Sequence, residues 1–353
     1  MVIKLLKILG MVVAVFVVLL IFLIVYLSIT EYKPEARESI DYYSLGNDLP
    51  EINPNELLTF ITWNVGYAGL GEESDFFMDG GKMVNPPSQE VVKKNLAGIL
   101  AFMDSQAVDG WLLQEVDVNS TRTNYMNQFD AIRQNRNVSS AFAYNYQCPF
   151  VPIPLPPLGR IESGIATMSS LQMSANMERV SLPCPFAWPI RAAQIKRCLL
   201  ITRLPIANSD KELVLVNLHL DAYDDGEGKI AQTNLLLQVL QEEYAKGNYV
   251  IAGGDFNQSF PGVLDAYPVA DPQKWTPGIL EHSILPEGWQ FAYDTSAPTC
   301  RLLDQPYSDA CQLYVIDGFI LSPNVSLTSV KTVNLDFTNS DHNPVRLEVT
   351  LNP

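Results

Sequence analysis

Residues 8–28 carry no charged side chain and are dominated by Val, Leu, Ile and Phe. At about 1.5 Å of rise per residue, a helix over this run spans roughly 31 Å, the thickness of a bilayer hydrocarbon core. Lys4 and Lys7 precede it, and Glu31, Lys33, Glu35, Arg37 and Glu38 follow it. The positive-inside bias therefore places the N-terminus in the cytoplasm and everything after Thr30 outside. A cleaved signal peptide is the alternative. The run is long for the apolar region of one, and no small-x-small cleavage site follows, so an uncleaved anchor over residues 1–30 is expected.

The rest of the chain is globular in composition. Of 353 residues, 47% are hydrophobic and 18% charged, a balance that buries a core. Formal charge is −16; with the two lysines of the anchor set apart, 21 basic face 39 acidic residues, a charge of −18. That argues against a protein that coats polyanions through a basic surface, but not against an enzyme that grips a phosphate through a metal. Five cysteines are too few for a disulfide scaffold. Outside the cytosol, Cys184 with Cys198 and Cys300 with Cys311 form plausible short loops, leaving Cys148 unpaired; five buried thiols are the alternative.

Residues 31–55 are polar, contain Pro34, Pro50 and Pro54, and read as a tether. Residues 56–353 show no second linker and no repeat, and are expected to form one catalytic domain. Short apolar, often β-branched segments at 57–64, 110–115, 164–168, 197–203, 213–218, 249–252, 314–321 and 344–351 predict strands. Residues 89–103 and 229–246 predict helices, the second closed by Gly247. The lack of a strict βαβ rhythm favours packed, mainly antiparallel sheets with helices outside.

Polar residues gather where these strands end. Thr59–Trp63 leads into Asn64, and Trp111–Gln114 into Glu115. The segment 215–218 leads into His219, 250–254 into Asp255 and Asn257, and 314–316 into Asp317. Ser340-Asp341-His342-Asn343 precedes the last strand. Side chains held at strand ends can converge on one rim of a sandwich. Two of the three histidines, His219 and His342, fall in these clusters beside acids, whereas His282 has no such context. Glu115, Asn64 and the Asp255/Asn257 group offer the hard oxygen ligands that Mg²⁺ or Mn²⁺ takes, and no His/Cys spacing of a zinc site is present. A carboxylate-held imidazole beside such a metal suits phosphoester hydrolysis.

Read together, Thr62-Trp63-Asn64, Gln114-Glu115, Asn217-Leu218-His219-Leu220, Gly254-Asp255-Phe256-Asn257, Ile316-Asp317-Gly318-Phe319 and Ser340-Asp341-His342 resemble the endonuclease/exonuclease/phosphatase superfamily. The resemblance runs from about residue 57 to the end. It implies an α/β fold, a four-layer sandwich of two mainly antiparallel β-sheets flanked by helices, here preceded by one transmembrane helix. It also implies a divalent metal, Mg²⁺ or Mn²⁺. By that resemblance Glu115 is the principal metal ligand, with Asn64 beside it and Asp341 completing the metal and water network. Asp255 and Asn257 orient the attacking water and the phosphate. His342 is the general base or holds the scissile phosphate, and Asp317 orients it. His219 contacts the phosphate or serves as a second acid/base. Arg197 matches a phosphate-contacting arginine.

One position departs from the pattern. Abasic-site enzymes carry an aspartate two residues after the asparagine, where this chain has Gly66, which weakens that subgroup. Loops 71–87, 148–160 and 271–306 are expected to form the rim and hide the choice of substrate. The resemblance leaves a nuclease-like phosphodiesterase acting on nucleic acid, a phospholipid phosphodiesterase or phosphatase near the anchoring membrane, and a degenerate surface binding protein. No protein partner is inferred.

Overall fold

The structure is a computed structural model and describes residues 2–44, 49–134, 136–223 and 226–352. Two seven-stranded sheets pack face to face. In order, the first contains Arg37–Ile40, Met177–Ser181, Cys198–Pro205, Glu212–His219, Tyr249–Asp255, Asp317–Leu321 and Gln290–Ala292. The second contains Val325–Thr332, Val345–Leu351, Leu58–Asn64, Gly110–Asp117, Gly159–Ser169, Ser139–Val151 and Tyr42–Ser44. Neighbouring strands run antiparallel, except one parallel pair in each sheet. Leu58–Asn64 beside Gly110–Asp117 is crossed over by the helix Gln89–Ser105, and Glu212–His219 beside Tyr249–Asp255 by the helix Glu227–Ala245. The expected four-layer α/β sandwich is the observed architecture.

Strand periodicity builds the layers. Leu58 and Phe60 point inward and meet Leu213, Leu215 and Ile251 of the other sheet, forming the central core. Ile61 and Trp63 point outward and pack on Val92, Leu96 and Ile99 of one crossover helix. Val214, Val216 and Leu218 pack on Leu236, Val239 and Leu240 of the other. Because both faces are buried, these strands read as continuous apolar runs. The helix Gln89–Ser105 starts at Ser88, whose hydroxyl accepts from Val91 N. The helix Glu227–Ala245 ends at Gly247, which has φ +85° and donates to Tyr244 O.

Several expectations need correction. The segment expected as a tether is structured over residues 37–44, which form an edge strand of each sheet. The single strand expected over 314–321 is broken: Ile316 N and Asp317 N turn to Thr299 Oγ1, leaving Leu313–Tyr314 and Asp317–Leu321 as separate strands. The long strand Ser139–Val151 has no counterpart among the expected segments. The five cysteines are free thiols, so neither expected pairing is present. Cys198 points into the central core, whereas the Cys184 thiol faces Ile195 O in a loop outside it.

Two polar links cross the apolar packing. Inside the sandwich, Gln114 Nε2 donates to Asn217 Oδ1 at 2.8 Å, and Asn217 Nδ2 donates back to Leu113 O and Ala166 O. On the outer face, Glu243 on the second crossover helix takes two hydrogen bonds from Arg203, at 2.6 and 2.9 Å, and one from Lys246. Burial opposes the charge of Glu243, yet these cations hold its carboxyl down at about 2.

Two outcomes are expected. Asn217→Ala removes three buried hydrogen bonds, one from Gln114 Nε2 and two to the carbonyls of Leu113 and Ala166, so chemical denaturation should register a loss of about 3 kcal/mol. A carboxyl whose pKa is depressed by folding stabilises the protein above its unfolded value, near ~4.3, and loses that contribution as pH falls toward the folded value. Denaturant midpoints of the native chain should therefore drop between about pH 4.5 and 2. Glu243→Gln should flatten that drop; an unchanged pH slope in the variant contradicts the assignment.

Candidate active site

The inward-facing row of each central strand changes character at its end. Leu58 and Phe60 give way to Thr62 and Asn64, and Leu213 and Leu215 to Asn217 and His219. The two parallel pairs bring four strand C-termini to the same rim. In the first sheet, Asp255 lies beside His219 on one side and Asp317 on the other. In the second, Asn64 lies beside Gln114. The Gln114–Asn217 bridge thus lies buried beneath the cleft, one layer of side chains below the site.

Local backbone devices aim the side chains. The ladder shifts between Leu113 and Val116, so Gln114 and Glu115 together face one residue of the neighbouring strand. This bulge holds Glu115 at φ +55°, a left-handed conformation that costs a non-glycine residue about 1–2 kcal/mol. Gln114 thereby turns into the core while Glu115 reaches the cleft. Asn257 also sits at φ +50°, with its backbone N–H on Asp255 Oδ1 at 2.8 Å. Strain of this kind collects at working sites. Gly66 has φ +51°, and a Cβ there would stand 2.7 Å from Asp341 Oδ1, so the glycine makes room for that carboxylate.

The site residues expected from sequence come together at this rim. Asn64 Nδ2 donates to Glu115 Oε1 at 3.2 Å and to Asp255 Oδ2 at 3.1 Å, linking the two sheets. His219 Nε2 is 3.3 Å from Asp255 Oδ2 and 4.0 Å from Glu115 Oε1. His342 Nδ1 meets Asp317 Oδ2 at 2.8 Å. Its Nε2 lies 3.8 Å from Asp255 Oδ2 and 3.9 Å from Asp341 Oδ2. Asn257 Nδ2 donates to Leu220 O, so its side chain braces the turn. His282 lies elsewhere, in a short turn against Phe291.

Electrostatics separate the two histidines. Burial opposes charge on His342, but Asp317, with Cys300, Asp341 and Asp255 around it, holds its pKa well above the ordinary value. Burial, with the charges of Arg197 and His342, drives His219 well below it. Near neutrality one ring is an imidazolium and the other neutral. Among the acids, burial and the neighbouring Asp317 push Asp255 up to about 6. Burial pushes Asp341 up to about 7 against the opposing pull of His342, with Glu115 adding to the rise.

Sequence reasoning missed the supports. Trp63 Nε1 donates to His342 O, and Ser340 Oγ to Asn64 O. Arg301, whose backbone N–H donates to Asp341 O, reaches Gly71 O and Ser74 O with its guanidinium. Arg122 forks onto Asp117 and lies 3.6 Å above the Tyr67 ring. Trp63 and Ser340 stand within the motifs, though without an assigned role; the two arginines carry no such signal. Arg197 is buried in the cleft wall, and its Nε and Nη1 have no hydrogen-bond partner among the described residues; Tyr67 Oη is also unpartnered. All three loops expected at the rim contribute to the cleft, which has a volume of ≈ 320 Å³: Phe76 and Met78 from the first, Leu158 from the second, Trp275 and Leu303 from the third.

The donor chemistry fits a hard divalent cation. Asp255, Asp317 and His342 each bring one donor atom within 4.8 Å of the others. The His342–Asp317 hydrogen bond already occupies part of that group. Glu115 and Asp341 offer carboxylate oxygens beside acids whose crowding a cation relieves, and Asn64 adds an amide whose Oδ1 accepts from Gly66 N while its Nδ2 holds Glu115 and Asp255.

No family model matches the chain, and no curated protein matches it. Solved structures do. An endonuclease/exonuclease/phosphatase from Beutenbergia cavernae aligns at TM-score 0.56 and 15% identity, covering 84% of this chain and 72% of that one. One from Bacteroides vulgatus aligns at 0.55 and 14%, covering 84% and 99%. D. rerio TDP2, complexed with a single-strand DNA product, aligns at 0.52 and 16%, covering 84% and 100%. At these identities the likeness establishes architecture, and the chain has the fold of the endonuclease/exonuclease/phosphatase proteins.

Proposed function

We propose that this chain is a divalent-metal-dependent phosphoesterase that hydrolyses phosphodiester bonds outside the cytoplasm, held to the membrane by its N-terminal helix. The observation that carries the reading is the rim itself: four carboxylates, three of them buried, with an imidazolium and a neutral imidazole at the end of an apolar core. Nothing structural requires so many ionisable groups there, and strained or shared backbone positions fix them. The helix Val2–Ile29 contains an 18-residue window of mean hydropathy 3.5 and is long and apolar enough to cross a bilayer. The flanking charges supply the orientation.

Glu115, Asn64 and Asp341 would hold Mg²⁺ or Mn²⁺, which supplies charge neutralisation at the phosphate when bound. The chain's own groups divide the remaining work. Arg197 and Tyr67 present unsatisfied donors to phosphate oxygens from the cleft wall. Asp317 fixes Nδ1 of His342, so Nε2 faces the substrate as the proton-carrying atom. Asp255, with Oδ1 fixed by Asn257 N–H, presents Oδ2 to the attacking water, and Asn64 holds that oxygen in place. His219, neutral, lies beside Asp255 and can accept or return a proton at Nε2. A nucleic-acid substrate is the second reading, favoured by the single-strand DNA product bound to the D. rerio protein.

The full chain in detergent should cleave bis-p-nitrophenyl phosphate with Mg²⁺ and stop when EDTA is added. Asp255→Ala, His342→Ala and Glu115→Gln should each lower kcat by about 10²-fold or more while circular dichroism stays native. Undiminished turnover in the His342 variant would sink the assignment of that ring.

A further inference from the structure

The end of the apolar helix is not free of the domain. Leu23 and Leu27 pack with Tyr146, Cys148, Val151, Leu158, Ile161 and Ala192. Trp188 Nε1 donates to Ser28 Oγ at 2.9 Å. Glu31 accepts from Arg191 Nε at 2.9 Å and lies 3.6 Å from Lys196 Nζ. In the charge-free run of residues 8–28, which spans roughly 31 Å, the docked turns are the outermost, so they stand at the outer edge of the hydrocarbon layer. The loops that grip them are then held at headgroup depth.

Those loops present apolar side chains to the outside. Phe150, Ile153 and Leu155 are 37%, 73% and 86% exposed, and Trp188 and Ile190 are 59% and 62% exposed. In water such a group is unfavourable; at a bilayer interface it is the expected composition, with Trp at the boundary. The same two loops wall the cleft. Tyr146 and Leu158 pack on the cluster that holds the helix end and also line the cleft, and Phe186 and Ile195 flank the Trp188–Ile190 turn while lining it. The mouth of the site therefore opens beside the surface that would rest on the lipid.

We infer that the substrate is a phosphodiester lipid of the leaflet that holds the anchor, drawn into the cleft past the interfacial loops 150–155 and 186–190. This rests on the phosphoesterase reading above. In the reaction a water oxygen bonds to phosphorus and one P–O ester bond breaks. The departing alkoxide takes a proton, giving one phosphomonoester and one alcohol. The apolar walls formed by Leu158, Phe186 and Ile195 suit the glycerol or sphingoid part of such a molecule.

The test uses the full chain reconstituted with Mg²⁺ in vesicles of phosphatidylcholine, phosphatidylserine and sphingomyelin. Lipid cleavage is read by mass spectrometry, with bis-p-nitrophenyl phosphate and a single-stranded oligonucleotide as soluble arms. The inference expects cleavage of at least one of the lipids. The double variant Ile153→Glu, Leu155→Glu should lose at least tenfold on lipid and keep full turnover of the soluble diester. Fluorescence of Trp188, isolated by difference from Trp188→Phe, should be quenched by brominated lipid. Cleavage of the soluble diester or the oligonucleotide with all lipids intact overturns the lipid inference and leaves the phosphoesterase reading standing. Lipid cleavage indifferent to the double variant, or an unquenched Trp188, overturns the interfacial role of the loops. Failure on every substrate, the soluble diester included, overturns the phosphoesterase reading itself.

Discussion

Ionised groups are costly to bury, and this molecule gathers four carboxylates and two imidazoles at one rim, all but Glu115 buried. A carboxylate or imidazolium taken from water must find partners or neutralise. The fold meets that demand by joining both sheets at the rim. Asn64, from one sheet, is hydrogen-bonded to Asp255 of the other and to Glu115 of its own. Asp317 balances His342 directly. What stays unbalanced, chiefly Glu115 beside Asp341, lies on the open side, where a cation and a phosphate would complete the charge. The strained backbone at Glu115 and Asn257 is tolerable because the Gln114–Asn217 bridge and the central core fix the strands beneath.

Much of this was legible in the sequence because the central strands are short apolar runs that end in polar residues. The inward row of each strand is apolar until its last positions, so a carboxylate, amide or imidazole at the end marks a shared rim. The central strands of both sheets and both long helices follow from that pattern. The strand Ser139–Val151 escaped because its inward positions include the small residues Ala141 and Ala143 and its register slips twice, which blurs the alternation. The edge strands at 37–44 escaped because edge positions are exposed and carry charge, as a tether does. The break before Asp317 depends on one hydroxyl, Thr299, distant in sequence. The supports Arg122 and Arg301 were hidden for the same reason: a buried arginine is recognised only through partners that the fold brings to it.

The acidity of the chain also takes a narrower meaning. Most of the excess acid lies outside the rim, so it belongs to a solvated outer surface and not to the chemistry. On the proposed reading a phosphate would meet Arg197, Tyr67 and a metal, set between apolar walls that continue toward the N-terminal helix. Recognition would then be local, and the helix would contribute orientation as well as attachment.

The account depends above all on a cation at Glu115, Asn64 and Asp341. Calorimetric titration of Mg²⁺ into the detergent-solubilised chain tests it without any substrate. Saturable binding that weakens at least tenfold in Glu115→Gln is the predicted result. No saturable binding, or binding of equal strength in the variant, would contradict it.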